Sequence, residues 1–331
     1  MPTPRQRRKR RNDFVGAQHC RAPRGNVHVV AGLQTDAFAL VAPGFPPGCG
    51  GPDAVCREAR HLRLIKMRIL VTFAVEAEFA PWRKRHNFEC QLIDVPQISK
   101  SLLSYQAELG GITVDVLLTG MGWENSLYNA ARDGLRVLFA ANPEFCVSTG
   151  LAGGLKPEWH AGDVVAATEI GSYQNDSKIR SNRYALQVAK NCGAKVAHKL
   201  MTWNHIVGET SAKQAMGVFA DLVDMESYFI LTMASGAQVP AIAVRAVSDS
   251  SDEELPIDFS KVTDREGHLV IKHLFRELAS KPGRIPGLFS FAQRSRKAIS
   301  NLADFLDDFI PSLARDQGKI AASAFGEVAA R

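Results

Sequence analysis

The stretch from residue 221 to 252, DLVDMESYFILTMASGAQVPAIAVRAVSDSSD, constrains the fold more than any other part of the chain. Within it, Val239-Pro-Ala-Ile-Ala-Val-Arg-Ala-Val247 is a nearly unbroken apolar run, the composition of a strand covered on both faces. Ser227 to Ser235 is mostly apolar and long enough for about two helical turns, and Gly236 supplies a helix stop because glycine tolerates the left-handed conformation that ends helices. Asp221-Leu-Val-Asp-Met225 is a short apolar run edged by carboxylates. The order is strand, helix, strand. In open α/β sheets ligands bind beyond the carboxyl ends of strands, so Glu226 and Asp249 stand where a ligand would. A helix cap or an ion-pair member is the plainer alternative for either acid.

The rest of the chain is compatible with one large or two small globular domains: 331 residues, 46% hydrophobic and 22% charged. No apolar run approaches the roughly 20 residues needed to span a bilayer. The charge is uneven. Residues 1–66 hold 12 basic and 4 acidic residues, against 28 and 30 in the remainder, so the basic balance belongs to the leader and says nothing about the partner of the folded part. Six cysteines (20, 49, 56, 90, 146, 192) form no CxxC pair and no Cys/His cluster. Reduced, mostly buried thiols without a structural metal are expected, and a cytoplasmic location fits.

Residues 1–66 open with Arg5-Gln-Arg-Arg-Lys-Arg-Arg11 and cluster Gly and Pro between Val41 and Pro52, with no sustained helical or strand period. Disorder is expected there. Three readings stay open: a start codon placed upstream of Met67, a tail binding nucleic acid electrostatically, or a targeting segment, although no apolar signal-peptide core follows the arginines. Met67-Arg-Ile-Leu-Val-Thr-Phe73 reads as the first strand. Ala74-Val-Glu-Ala-Glu-Phe79 opens a helix, with Glu76 and Glu78 where the helix dipole favours acids, and Trp82 to His86 is expected to be its basic, solvated end. Leu103–Leu109 and Ile112–Leu118 read as a hairpin about Gly110-Gly111. Thr119-Gly-Met-Gly122 then precedes a helix from Glu124 to Ala141; it is either a tight turn or a place where backbone approaches a ligand closely.

Glu144 to Gly154 reads as a strand plus a glycine loop, and Gly162-Asp163-Val-Val-Ala begins another strand. Gly171 to Arg183 is a short polar loop carrying Lys178, Arg180 and Arg183. Tyr184 to Cys192 is expected to be helical, and Lys199 to Trp203 a strand end. Val207 to Lys213 precedes a helix, with Thr210 or Ser211 as N-cap. Lys281-Pro-Gly-Arg-Ile-Pro-Gly287 breaks the chain after a partly helical stretch to about Ala279. Phe291 to Leu306 returns to helical spacing, with Ala292, Ile299, Leu302, Phe305, Leu306 and Ile310 available for an apolar stripe. The resulting division is a leader (1–66), a main α/β domain (67–280) and a C-terminal helical extension (281–331).

Several of these segments together resemble the nucleoside phosphorylase and nucleosidase superfamily, nearest to the methylthioadenosine/S-adenosylhomocysteine nucleosidase branch. Val223-Asp-Met-Glu-Ser227 is similar to its V-E-M-E-[AS] signature and Arg245-Ala-Val-Ser-Asp249 to R-x-[IV]-S-D. Ser148-Thr-Gly-Leu-Ala-Gly-Gly154 resembles N-T-G-x-A-G-G, Thr119 to Gly122 its G-[IM]-G, and Ala74 to Phe79 the opening A-M-E-E-E-V, from which Val75 and Ala77 depart while Glu78 is kept. The resemblance covers about Met67 to Ala279. The family's long substrate loop, often H-D-A-D-V-T, has no counterpart after Ile170. A tail beyond the minimal nucleosidase also occurs in related hopanoid-biosynthesis phosphorylase-like proteins.

The resemblance implies a three-layer α/β/α sandwich about a mixed, twisted central sheet, and a homodimer without cofactor. It also implies a purine nucleosidase that hydrolyses the N-glycosidic bond of a 5′-substituted adenosine. Asp249 would be the general acid toward the base, and Glu78 the group that orients and deprotonates water. Glu226 would accept from the ribose hydroxyls, with Met225 packed on the sugar. Ser248, Gly122 and the backbone of Leu151, Ala152 and Gly153 would line the pocket. Trp203 would stack on the base, or else is a core tryptophan. Arg245 is expected to be a structural partner. The phosphorolytic alternative, which includes cleavage of an adenosylated lipid precursor, needs an arginine for phosphate. The Ser148-Thr149-Gly150 loop has none, and Arg180 and Arg183 are the candidates to reach it.

Overall fold

The structure is a computed structural model that describes residues 67–95, 100–122, 126–257 and 282–315. The expectations for the leader (1–66) and for the polar-to-helical stretch ending near Ala279 lie outside these residues. The chain forms β1 (Arg68–Phe73), α1 (Glu76–Arg83), β2 (Glu89–Val95), β3 (Lys100–Leu109), β4 (Ile112–Leu118) and α2 (Ser126–Ala140). It continues with β5 (Phe145–Ser148), β6 (Leu151–Gly154), β7 (Val164–Ser172), β8 (Asn175–Arg180), α3 (Arg183–Asn191) and β9 (Lys195–Thr202). The last elements are α4 (Thr210–Gly217), β10 (Leu222–Asp224), α5 (Ser227–Gly236), β11 (Ala241–Asp249) and α6 (Ile285–Ala314).

Among the described residues the strands make one mixed sheet in the order β2-β3-β4-β1-β5-β11-β6-β10-β9-β7-β8. β11 is its hub. Its first half pairs in parallel with β5, its second half in parallel with β6, and its other edge antiparallel with β7. All nine of its residues are buried, as its unbroken apolar run requires. Strand alternation sends side chains to two separate cores. Ile69, Val71, Phe73, Ile242, Val244 and Ala246 pack with Phe79 and Trp82 of α1, Ala185 of α3 and the apolar stripe of α6. Leu70, Cys146, Ala243 and Val247 pack with Leu135 of α2 and with Ile230 and Leu231 of α5. Helix layer, sheet and helix layer make the three-layer α/β/α sandwich.

The structure corrects several local expectations. The polar stretch after Ile170 is no loop: β7 runs on to Ser172 and β8 returns beside it, pairing Gly171 with Lys178 and Glu169 with Arg180. The glycine-rich Leu151–Gly154 is itself a strand, stitched between β11 and β10. Residues 207–213 do not precede a helix, because α4 already begins at Thr210; its N-cap is Glu209, with no side-chain cap, so neither Thr210 nor Ser211 caps it. Pro286 and Gly287 lie in the first turn of α6 rather than breaking the chain, since proline is tolerated there. The end of α1 is only partly solvated. Trp82 is fully buried, and Arg85 and His86 both bond Asp307 of α6. The C-terminal helix therefore packs on the sandwich, with Leu302, Phe305, Leu306 and Ile310 buried as the stripe requires and Ala292 only half-buried.

Candidate active site

β5 and β6 run along the same edge of β11, with Thr149-Gly150 as the break between them. Here the backbone leaves the sheet and returns, so polar groups can gather without interrupting a strand. Glu78, from the first turn of α1, fills the break. Its Oε2 accepts from the Ala74 amide (3.0 Å) and its Oε1 from the Leu151 amide (3.0 Å). Gly150 has φ of +141°, and a β-carbon there would lie 2.9 Å from Glu78 Oε2. Only glycine combines that backbone with that approach. Burial raises the Glu78 pKa, and the two amides and the charge of Arg245 offset this only in part.

β10 ends where this break opens. Asp224, its last residue, accepts from Thr202 Oγ1 (2.6 Å) and from the Ser227 amide (3.0 Å) and pairs with Arg245 (2.8 Å). Arg245 also donates to Ser148 Oγ (3.0 Å) and to the Val244 carbonyl (2.9 Å). It is committed to structure, as expected. Glu226 occupies the N-cap of α5 and accepts from the Gly122 amide (2.9 Å). Burial and the neighbouring Asp224 push its pKa up to about 8 against the pull of Arg245 and the Gly122 amide, and Glu78 adds a further upward push. Met225 lies against Gly122, its Cε 3.1 Å from where a β-carbon would sit; with φ of +73°, Gly122 cannot be exchanged for a larger residue without strain.

Asp249 closes β11. The register slips between Val247 and Asp249, so Ser248 is an extra residue in the ladder, and such a bulge re-aims the side chains beside it. Ser248 Oγ lies 2.5 Å from Asp249 Oδ1 and 3.2 Å from the Ala152 carbonyl. A β-carbon on Gly153 would sit 3.4 Å from Asp249 Oδ2 and 3.3 Å from Val223. Trp203 follows β9, its amide on the Asp224 carbonyl (2.8 Å), its ring 4.9 Å from that of Tyr173 and its Nε1 on His205 Nε2 (3.2 Å). It is half-buried and packs against the small cluster of Leu155, Val207, Ala220 and Val223.

The ten residues singled out from the sequence thus fall into linked groups. Gly122, Met225 and Glu226 touch one another. Glu78 holds Leu151. Ser248 and Asp249 lie against Ala152 and Gly153. Trp203 is tied to the strand end that bears Glu226. Arg180 and Arg183 are not brought in. They bracket the turn into α3, which packs on the β11 face of Val244 and Ala246, opposite the one bearing Arg245. Two residues escaped the sequence reading. Asp224 stands in the sequence as the edge of an apolar run and within the V-E-M-E-like stretch, with no role of its own. Lys213 was placed ahead of its helix, whereas its ammonium is wholly buried against Asp249. A single lysine in Thr-Ser-Ala-Lys-Gln-Ala-Met carries no local mark of burial.

Comparison with known proteins gives the family and the fold. The sequence model of the phosphorylase superfamily matches residues 68–278. Solved structures of similar fold include the 5′-methylthioadenosine/S-adenosylhomocysteine nucleosidase of Campylobacter jejuni, at 16% identity and a TM-score of 0.54, covering 74% of this chain and 98% of that one. Futalosine hydrolase of Helicobacter pylori matches at 14% identity and a TM-score of 0.55, covering 75% and 98%. The nucleosidase of Neisseria meningitidis, in complex with methylthio-immucillin-A, matches at 20% identity and a TM-score of 0.54, covering 74% and 99%. At these identities the likeness to the solved structures is one of fold, while the match of the family model over most of the chain is one of descent: the chain belongs to the phosphorylase superfamily.

Proposed function

We propose that this chain is a nucleosidase that hydrolyses the N-glycosidic bond of a 5′-substituted adenosine. Three demands define such a reaction: a proton or hydrogen bond for the leaving base, a hold on the oxocarbenium-like ribosyl group, and a nucleophile at the anomeric carbon. Asp249 serves the first as general acid, with Trp203 stacking on the base. Glu226 serves the second by accepting from the ribose hydroxyls, with Met225 against the sugar and the backbone from Leu151 to Gly153 lining the pocket. Glu78 serves the third by orienting water and taking its proton, since burial raises its pKa and so makes its carboxylate a stronger base than an exposed one.

The observation that carries hydrolysis over phosphorolysis is the Glu78 carboxylate lying on the Gly150 turn. A phosphate dianion there would meet a carboxylate. The Arg245 guanidinium, whose charge reaches Glu78, is already engaged by Asp224, Ser148 and Val244. Water meets no such repulsion, and the buried hydroxyl of Thr149, in the turn itself, has no hydrogen-bond partner among the described residues.

The test is adenine release from methylthioadenosine, S-adenosylhomocysteine and adenosine, with and without phosphate, using the full chain and Asp249→Asn. Release without phosphate that the substitution abolishes is the expected result, and the rates rank the 5′ substituents. Release only with phosphate would make the protein a phosphorylase. Absence of any free base would set this reading aside.

A further inference from the structure

The one ammonium wholly buried among the described residues belongs to Lys213, in the middle of α4, and three acceptors surround it. Nζ reaches Asp249 Oδ2 in a very short contact, the Ser250 carbonyl at 3.0 Å and the Glu253 carbonyl at 2.6 Å. Three acceptors match the three N–H donors of an ammonium. A buried charge is costly unless it is paired and hydrogen-bonded, so this lysine is held for a reason that packing does not supply. Among the described residues the other oxygen of Asp249 bonds Ser248 Oγ, which lies within reach of the Ala152 carbonyl as well. Glu253 turns its own carboxylate away, toward the Ser250 amide (3.1 Å) and Arg294 (3.5 Å). Asp224 and Glu226 are bound to Arg245 and to the Gly122 amide. Lys213 is thus the cation that faces Asp249.

We propose that Lys213 is a positioning residue for departure of the base: it ties Oδ2 of Asp249 to the turn of residues 250–253 and leaves Oδ1 as the oxygen that exchanges a proton with the leaving group. The proposal rests on the assignment of Asp249 as general acid. In the acid form Oδ1 carries the proton, and the Ser248 hydroxyl donates to the Ala152 carbonyl. As the bond from the anomeric carbon to the base nitrogen breaks, its electron pair goes to the base and the Oδ1 proton passes to a base nitrogen. The ribosyl carbon takes the oxygen of water, whose proton goes to Glu78. Asp249 is left a carboxylate. The ammonium holds Oδ2 throughout, and Ser248 rotates to donate to Oδ1. Lys213 therefore stabilises charge that develops only as the base leaves, which is where a fixed ion accelerates a reaction.

The experiment compares wild type, Lys213→Met, Lys213→Gln, Asp249→Asn and the Lys213→Met/Asp249→Asn double variant, all in the full chain. Each is checked for folding by circular dichroism. Hydrolysis is followed on methylthioadenosine and on 4-nitrophenyl riboside, whose leaving group departs without a proton. We expect Lys213→Met to lower kcat on methylthioadenosine about 10–100-fold with little change in KM, and Lys213→Gln, which keeps the two N–H donors of an amide, to lose less. The double variant should be no slower than Asp249→Asn, and the nitrophenyl riboside rates should be nearly unchanged. Equal losses on both substrates, additive losses in the double variant, or a fully active Lys213→Met beside an inactive Asp249→Asn would each overturn the proposal. A fully active Asp249→Asn would instead remove the general-acid assignment on which it rests. If Lys213→Met does not fold, the comparison of the two substrates with Lys213→Gln decides.

Discussion

Arg245 and Asp224 face one another across β6, guanidinium to carboxylate at 2.8 Å, with both side chains almost entirely out of water. This pair joins the hub strand to the strand end that bears Glu226, and it sets the charge around the site: Asp224 raises the pKa of Glu226 and Arg245 pulls it down. Removing one partner of a buried pair leaves the other charged and unsatisfied. Arg245→Met should therefore destabilise the protein by about 3–5 kcal/mol. Adding Asp224→Asn to it should recover part of the loss, because the orphaned charge goes with it. Urea unfolding of the three proteins checks this, and additive losses would mean that the pair is not coupled.

Glu226 should make the stability of the protein depend on pH. Its pKa in the folded chain is about 8 against 4.5 for the ordinary group. An acid whose folded pKa is raised binds more protons folded than unfolded between those values, so its ionisation costs stability as pH rises through that window. Glu226→Gln should therefore raise the melting temperature at pH 9 by a few degrees and do much less at pH 5. Ribose hydroxyls favour the carboxylate, so a nucleoside binding at pH 7 should release up to one proton. Calorimetry in buffers of different ionisation enthalpy measures that release; none seen in wild type would place the ribose elsewhere.

In the proposed reaction Glu78 and Asp249 act on opposite sides of the bond to be broken. General acid–base groups contribute about 10²–10⁴-fold each. Glu78→Gln and Asp249→Asn should each lower kcat on an adenosine substrate by that order. Only Glu78→Gln should also slow a substrate with a good leaving group, because water must still be activated. Equal behaviour of the two variants on both substrate types would contradict the division of roles.

Much of this layout was legible in the chain. The apolar run ending in Ser248-Asp249 declared a doubly covered strand with an acid at its carboxyl end, and β11 proved to be the hub of the sheet. Glu226 and Gly122 were each marked by their own local pattern, though nothing local announces that the amide of one holds the carboxylate of the other. What escaped was set by long-range contact. Lys213 meets Asp249 from 36 positions away. β8 reads as a polar loop because it lies at the sheet edge, where only one neighbour, β7, supplies its hydrogen bonds. Residues 151–154 lack strand-forming side chains and are strand because β11 and β10 bind them on either edge.

One carboxylate of the C-terminal helix gathers three donors from the end of α1. Asp307 accepts from Trp82 Nε1 (2.8 Å), from Arg85 (2.9 Å) and from His86 Nε2 (2.7 Å). Burial alone would raise its pKa, but the hydrogen bonds from His86, Arg85 and Trp82 outweigh burial and hold it below the ordinary carboxylate value. A depressed folded pKa contributes stability that is present above the unfolded value and is lost as pH falls through the folded one. With the side chain 30% exposed, solvent reduces that contribution. Asp307→Asn should cost about 1–2 kcal/mol at pH 7, and the gap from wild type should close as pH falls below about 4, the ordinary aspartate range. Chemical unfolding across that range tests the pairing. A gap that persists undiminished at low pH would mean that the charge on Asp307 adds nothing to the docking of α6.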